Sequence, residues 1–455
     1  MSGLFGTMST ALSALQAEQG ALEATTNNVA NANTPGFSRQ RAIMVESDPV
    51  VQGSLSFGTG VSLQLQSLRD PILELRLNQE TQQQGQLDAQ VSAMQQIETM
   101  FSSDSGDLGS LMTSFFNSVD QLSTDPSSMP LRQGVLTAAG NMANGFRNTA
   151  RNLQQQQSNI DLNVGQTVDQ VNVLTKQIAD LNGEISGMQN LSEDPSTFLD
   201  QRTNLIRQLS QLVDVAVVQS DNSIAVTTSA GTALVEGQQS FNLSTQLSNT
   251  GVQEVMAQGA DITSKISAGK LGGLIQVRDQ TIPSILGQLD TLAGGLSTAL
   301  NAANRSGSDL TGTAGGALFT APPASGTGAA ADMTLLITDP SLLAASSDGT
   351  PGSNGNLAKF TAVSTQTIAS GQTPTDYYAN LVFQIGSDVS NGTAESDASN
   401  LILQQLQDQR ASLSGVSLDE EAANLVRYQQ SYSAAARVVS TLNDLLDTAV
   451  NLGKD

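Results

Sequence analysis

The 455-residue sequence contains no cysteine, no histidine and no tryptophan. The first two absences remove disulfides, thiol nucleophiles, imidazole bases and the usual zinc, haem and iron–sulfur ligands. Any metal would have to sit on oxygen ligands, and no cofactor is expected. Aromatic residues are scarce, 4% against 38% apolar residues overall. Interiors must therefore rest on Leu, Val, Ile, Ala and Met, which at helical spacing suit narrow seams between helices better than one bulky core. Positive charge is scarce too: 19 Lys and Arg stand against 42 Asp and Glu, a net charge of −23. Such a surface is soluble, and it repels phosphate backbones and anionic lipid, which argues against nucleic acid or a membrane surface as partner. No apolar run reaches the ~18 residues of a membrane span. No basic residue precedes Arg39, so no cleaved secretory signal is expected.

What is present is concentrated at the two ends. Near the N-terminus Phe5, Leu12, Gln19 and Thr26 fall seven apart, interleaved with Met8, Leu15, Leu22 and Val29. This spacing predicts a helix with a heptad seam, ending near Asn31. At the other end Leu418, Leu425, Tyr432, Val439 and Leu446 interleave with Tyr428, Ala435, Leu442 and Ala449. There Ser417 with Glu420 reads as a capping box, Asp419 and Glu421 suit the first-turn dipole, and Gly453 reads as the helix stop. Between α-helical end and middle, Asn33-Thr34-Pro35-Gly36-Phe37 reads as a turn, because Pro fixes φ and Gly permits a positive one.

Length points to two to four domains, and the pattern divides the chain into seven segments. Residues 1–67 hold the N-terminal seam, the turn and a mixed stretch, Ile43 to Leu65, that reads as a loop with some extended structure. Residues 68–212 read as a helical bundle: Asp70 caps a helix with Pro71 at its first position, running toward Met100. A longer helix follows from Met129 to Met188, with Val164, Val171, Ile178 and Ile185 at heptad spacing beside Leu174, Leu181 and Met188. The Gln79–Gln86 stretch reads as a solvated face, and Phe198 to Leu212 as a shorter amphipathic helix. Residues 213–270 are β-rich, with strands expected at Val213–Val218, Ser223–Thr228 and Thr232–Val235 and a turn at Asp221-Asn222. Residues 271–305 return as helix, from Gly272 to Asn304. Residues 306–376 form a Gly/Ala/Ser/Thr-rich outer insertion, β-rich or a flexible surface segment. Residues 377–413 rejoin the bundle, and 414–455 form the C-terminal seam. The expected fold is mainly α with a β-rich middle: an elongated multidomain protein, terminal helices in a coiled coil, a long-helix bundle and an outer β-rich part.

The stretch Asn27-Asn28-Val29-Ala30-Asn31-Ala32-Asn33-Thr34-Pro35-Gly36-Phe37-Ser38-Arg39-Gln40 resembles the N-terminal signature of flagellar rod, hook and hook-associated proteins. Ser414 to Glu421, with Leu425 to Tyr432, is similar to their C-terminal signature. Two internal stretches resemble the hook-associated protein 1 family in particular: Phe198-Leu199-Asp200-Gln201-Arg202 with Val213-Asp214-Val215, and Gly269-Lys270-Leu271-Gly272-Gly273-Leu274 with Arg278-Asp279. The resemblance implies a structural protein in a ring between hook and filament, its terminal helices forming an inner tube. It also implies contacts with itself, with hook protein and with a filament-side junction protein. Export by the flagellar type III apparatus follows as a further expectation, with a cytosolic chaperone on the C-terminal region and an extracellular, flagellar location.

The seams give a physical reason of their own. An isolated helix of about 30 residues with a narrow apolar stripe is marginal in water. Pairing of the two ends, and then of neighbouring subunits, would couple folding to assembly. The alternatives are another axial component such as hook or rod protein, and a non-flagellar secreted coiled coil. Catalysis is not expected. Asp419 and Glu420 are adjacent on a helix and read as capping residues, Glu18 and Glu23 as a solvated face, and Met8, Met94, Met100, Met142 and Met188 as packing. Tyr428 and Tyr432 share a helix face as packing residues with hydroxyls at a polar edge.

Overall fold

The computed structural model describes residues 2–46, 50–52, 55–57, 60–101, 107–191, 193–220, 223–249 and 251–451. Among these residues ten α-helices and eleven short strands follow in an order that returns the chain to its starting end. Helix α1 (Ser2–Ala30) leads through the turn to β1 (Gln40–Glu46), β2 (Val50–Gln52), β3 (Leu55–Phe57) and β4 (Val61–Ser67). The stretch expected to be mostly loop is thus two nested hairpins, with β1 on β4 and β2 on β3, both antiparallel. Alternating polar and apolar residues in Val61–Ser67 give one strand face to lay on α1.

The bundle follows: α2 (Pro71–Phe101), α3 (Leu108–Thr124), α4 (Met129–Asn190) and α5 (Ser196–Leu212). Asp70 caps α2 as its sequence position indicates, accepting from the backbone N–H of Ile72 at 2.9 Å and of Leu73 at 3.2 Å. Helix α4 has 62 residues, which at 1.5 Å per residue makes it about 93 Å long and the molecule elongated. Its heptad series Val164, Val171, Ile178 and Ile185 is buried, while Leu174, Leu181 and Met188 are half-buried.

The strand-rich middle comprises β5 (Ala216–Ser220), β6 (Ser223–Thr227), β7 (Ala233–Glu236) and β8 (Gln239–Ser240) in one antiparallel sheet. A second sheet holds β9 (Leu243–Leu247), β10 (Gln253–Ala257) and β11 (Ala260–Asp261). Val213 to Val215 precede the first strand and are buried; the expected turn at Asp221-Asn222 lies outside the described residues. Both sheets lie on α4 and share its apolar core through Val226, Leu234, Val235, Leu243 and Val255. Asn172 of α4 bridges to β9, donating to the Leu243 carbonyl and accepting from its N–H, both at 2.8 Å.

The returning helix begins at Gly269, three residues before the expected start. It runs as α6 (Gly269–Gln276), a π turn (Val277–Thr281) and α7 (Ile282–Arg305). Pro283 has no N–H for the i→i−4 bond, and the π turn just before it absorbs the break. The glycines of the Gly269–Leu274 motif are packing residues. Gly269 has φ +69°, and a Cβ there would lie 2.5 Å from the Val213 nitrogen; a Cβ on Gly273 would run into the Gln86 carbonyl of α2.

Residues 306–373 take neither form expected of the insertion. They contain a short α-helix, α8 (Leu357–Val363), a 3-10 turn (Pro340–Leu342) and isolated bridges such as Phe319 with Leu335. Leu318, Phe319, Met333, Leu343 and Phe360 are buried in the same core as α3, α4 and α7. Side chains do for this backbone what a ladder would do in a sheet. Asn301 accepts from the N–H groups of Leu318 and Phe319 at 2.7 and 2.8 Å, and Asp290 accepts from Gly328 and Ala330 at 2.7 and 2.8 Å. The fully buried Arg132 donates to the carbonyls of Pro126 and Leu343, both at 2.6 Å, and of Pro340 at 3.2 Å. The segment is an irregular cap stitched to the bundle.

Helix α9 (Pro374–Ser414), capped by Thr373 onto the Asp376 N–H, runs back along α2, and α10 (Leu418–Asn451) returns beside α1. The α2–α9 seam corrects the reading of Gln79–Gln86. Gln82 and Gln84 are buried, Gln82 donating to the Val215 carbonyl at 2.8 Å and Gln84 to the Ser396 hydroxyl at 2.9 Å. Amides that find buried partners can serve as packing residues, and composition alone does not distinguish them from solvated ones.

Candidate assembly interface and its root

The signature turn is built as its residue types require. The Phe37 N–H donates to the Thr34 carbonyl at 3.2 Å, and Gly36 takes φ +84°, so Pro35 and Gly36 are the two central residues of a type II turn. Asn33, Thr34 and Pro35 are exposed and Phe37 is half-buried. The turn projects backbone groups rather than side chains into the protein. The Gly36 carbonyl accepts from Arg410 of α9 at 2.8 Å, and the Ser38 N–H donates to Asp200 of α5 at 2.9 Å. The Arg39 N–H donates to the Ser414 carbonyl at the α9–α10 junction, at 2.9 Å.

Charge completes this root. Arg39 is paired with Glu420 at 2.5 Å and Glu421 at 2.6 Å. Arg69 pairs with Asp200 at 2.8 Å, and Glu74 of α2 holds Arg207 at 2.7 Å and Arg410 at 2.6 Å. Asn28 on the last turns of α1 donates to the Gln40 carbonyl at 2.8 Å and to Glu421 at 3.1 Å, and accepts from the Gln40 N–H at 2.9 Å. Arg202, on the same motif as Asp200, is held by Asn182 of α4; burial, with Arg69 adding like-charge repulsion, lowers it to about 10. Two end signatures and one internal motif, far apart in sequence, meet at one place.

Ser417 makes only half of its capping box. Its hydroxyl accepts from the Glu420 N–H at 3.5 Å, a long bond, while the Glu420 carboxylate turns to Arg39 instead of back to the cap. An ion pair with a guanidinium outcompetes a neutral N–H for that carboxylate. Gly453 lies outside the described residues.

From this root α1 and α10 run side by side, antiparallel, with Asn28 meeting Glu421 and Glu18 lying near Arg427. Burial raises the Glu18 carboxyl, with Arg427 pulling the other way. On α10 Tyr428 is buried, and Leu425, Tyr432, Val439, Leu442 and Leu446 are half-buried; Leu418 is exposed. On α1 the heptad positions are not the most buried ones in the free subunit. Ala17, Ala21, Ala24, Thr25 and Asn28 are buried; Met8, Leu15 and Leu22 are half-buried; Leu12 and Val29 are 46% and 41% exposed. The Phe5 side chain lies outside the described residues. Alanines let the partner helix and hairpin approach closely, which turns the larger side chains sideways and outward. With Val426, Val438 and Leu445 of α10, Leu12 and Val29 leave large apolar groups facing away from the pair's own seam.

Sequence reasoning singled out residues 33–37 and missed that the binding is done by Ser38, Arg39 and Gln40, together with Asn28, Glu74, Asp200 and Arg410. Ser38 to Gln40 adjoin the turn and could have been flagged as polar residues following a tight bend. Their carboxylate partners lie more than 150 residues away in several cases and carry no local signal.

Comparison with known proteins finds both terminal signatures and the internal helical region again. Residues 94–319 match the model of the flagellar hook-associated protein FlgK helical domain. Residues 8–37 match that of the flagella basal body rod protein, and 407–452 that of the flagellar basal body rod FlgEFG protein C-terminal region. Flagellar hook-associated protein 1 of Escherichia coli (strain K12) is 28% identical over 97% of this chain and 98% of its own length. That of Bacillus subtilis (strain 168) is 29% identical over 99% of each. The solved flagellar hook junction protein FlgK of Burkholderia pseudomallei superposes with a TM-score of 0.67 at 18% identity, covering 74% of this chain and all of that one. Matched along nearly its full length and at both terminal signatures, the chain is similar throughout to flagellar hook-associated protein 1.

Proposed function

We propose that this protein is a structural component of the bacterial flagellum, placed at the junction between hook and filament and assembled through its terminal helices. The observation that carries the reading is the convergence of both terminal signatures on one ionic root, from which a helix pair extends with apolar residues left facing outward. A pair of unlike helix faces suits heterologous contacts, in which one face of a subunit meets a different face of the next. The proposal includes self-association into a ring, with hook protein on one side and a filament-side junction protein on the other. It also includes export by the flagellar type III apparatus and a cytosolic chaperone holding the C-terminal region before assembly. No catalytic role forms part of it.

Deletion of the gene in its host, followed by negative-stain electron microscopy and assay of flagellin in the medium, tests the reading. Hooks without filaments, with flagellin lost to the medium, are expected. Absent hooks would move the protein to the rod or hook, and normal filaments would refute a junction role.

A further inference from the structure

The bundle presents a different surface on each flank. On α9 Phe383 is 75% exposed, although every other described aromatic side chain is buried or half-buried. Its neighbours one turn away on the same face, Ala379, Asn380, Gly386 and Ser387, are small or polar, so the ring stands alone. The other flank is hollow. Between α7, Gln157 of α4 and two stretches of the irregular cap, residues 322–327 and 366–368, runs an open groove of about 1320 Å³. Small residues, Gly287, Thr291 and Gly294, line it together with the apolar Leu286, Pro322 and Ile368.

Ring and groove lie at one height. Ile285 and Gln288 of α7 stand beside Leu381, Gln384 and Ile385 of α9, which sets Phe383 level with Leu286 and Gly287. At 3.6 residues per turn, Phe383 points roughly 150° away from the face of α9 that meets α7. By the same count this part of the groove lies roughly 140° from the face of α7 that meets α9. Charge divides the same way. Asp376 and Asp388 of α9 and Glu98 of α2 lie near Phe383, while α9 has no cation before Arg410, α2 none after Arg76 and α3 none. On the groove flank Arg147 of α4 reaches the Thr334 hydroxyl, and the Thr334 N–H donates to Thr320, two residues before the groove wall. Arg151 is exposed one turn further along α4. Neither arginine is in an ion pair among the described residues. They stand against the exposed Asp332, for Asp290 in the groove already accepts from Gly328 and Ala330.

We infer that these two flanks meet between copies of the chain: Phe383 of one subunit seats in the α7–cap groove of the next, its acidic surround facing Arg147 and Arg151. Aromatic anchors that fill pockets carry much of the energy of a protein contact. A chain of net charge −23 repels its own copies, so a stable contact has to bring cations to the acidic flank. An anchor and a pocket on opposite flanks at one height define a heterologous contact, which passes from subunit to subunit instead of closing as a dimer. The contact lies in the bundle, apart from the terminal helix pair, so neighbouring subunits are joined at two separate places. It rests on the self-association proposed above and names the residues that perform part of it.

The absence of native cysteine makes the contact directly testable. Asn380→Cys beside Phe383 and Thr291→Cys in the groove are introduced together, and flagella isolated from these cells are treated with a short bis-maleimide. A ladder of crosslinked multimers is expected from the double variant, and monomers from each single one. Phe383→Ser and Gly287→Trp should not lower the urea midpoint of the free subunit, because Phe383 is exposed and a Cβ at Gly287 meets nothing within 4 Å. Each should raise the shedding of filaments under shear by about tenfold, whereas Phe383→Tyr should keep them attached. If flagella that retain the protein and their filaments give no ladder, the contact is overturned and the junction reading stands. A crosslinked dimer from either single variant also overturns it, since that would be a symmetric contact. Flagella that lack the protein altogether would refute the junction reading, and this contact with it.

Discussion

Arg39 and Glu421 are 382 residues apart in the chain, and their side chains meet at 2.6 Å with the carboxylate only 2% exposed. A buried pair of this kind contributes chiefly by what its loss leaves behind, an uncompensated charge. Arg39→Glu would place three carboxylates together and should cost about 3–5 kcal/mol of attachment at the root. We expect cells carrying it to lose swimming in soft agar, and the double variant Arg39→Glu with Glu421→Arg to recover part of it. A double variant as impaired as the single one, with the bundle folded in both, would mean that the pair does not couple the two ends.

Two glycines separate packing from flexibility. A Cβ at Gly273 meets the backbone of α2, whereas a Cβ at Gly187, exposed on α4, meets nothing within 4 Å. Gly273→Ala must push α6 from α2 and is expected to cost about 1–3 kcal/mol. Gly187→Ala should instead stabilise by about 0.5–1 kcal/mol through helix propensity. Urea denaturation of the two variants gives both signs; a neutral Gly273→Ala would refute the close approach of the two helices.

The two faces of α1 should separate in the same way. Ala21 is fully buried in the subunit, and Leu12 and Val29 are not. Leu12→Ser with Val29→Ser is expected to leave hydrogen exchange of the free subunit unchanged while abolishing filament attachment. Ala21→Leu should disturb the free subunit itself. If the double serine variant assembles normally, the outward residues are not contacts between subunits.

Asp214 sets a pH dependence. Burial raises its carboxyl above the ordinary 3.8 despite hydrogen bonds from Ser229, and its Oδ1 has no partner. The folded state therefore takes up the proton at higher pH than the unfolded one. Acidification through that raised value stabilises the fold at this residue, and the ionised form is a liability above it. Asp214→Asn should be more stable than the parent in urea at about pH 7 and lose that advantage toward about pH 4. An advantage that is constant across this range would assign the effect to packing rather than to charge.

How far the chain could be read in advance depended on the kind of contact. On α10 the large residues at heptad spacing, Leu425 to Leu446, are buried or half-buried, so size and spacing carry a signal there. On α1 the residues buried in the free subunit are Ala17, Ala21 and Ala24, too small to register as a stripe of large apolar residues. Capping by Asp70 and the type II turn at Pro35-Gly36 were legible because local backbone geometry restricts the residues that fit. The cap at 306–373 was not, since its backbone is satisfied by Asn301, Asp290 and Arg132 from distant helices and follows no period. The ionic root was half visible: its turn is a motif, and its carboxylates are ordinary acidic residues until the fold assembles them.

The length of α4 has a mechanical consequence. One end is tied near the root through Asn182 and Arg202, and the other is pinned to the irregular cap through Arg132. A rod of about 93 Å magnifies rotation: tilting it by about 5° at the root swings its far end by about 8 Å, more than a helical turn. Two differently twisted lattices could then be met by one subunit whose lever pivots slightly at its ionic fulcrum, with no change in the fold of either end.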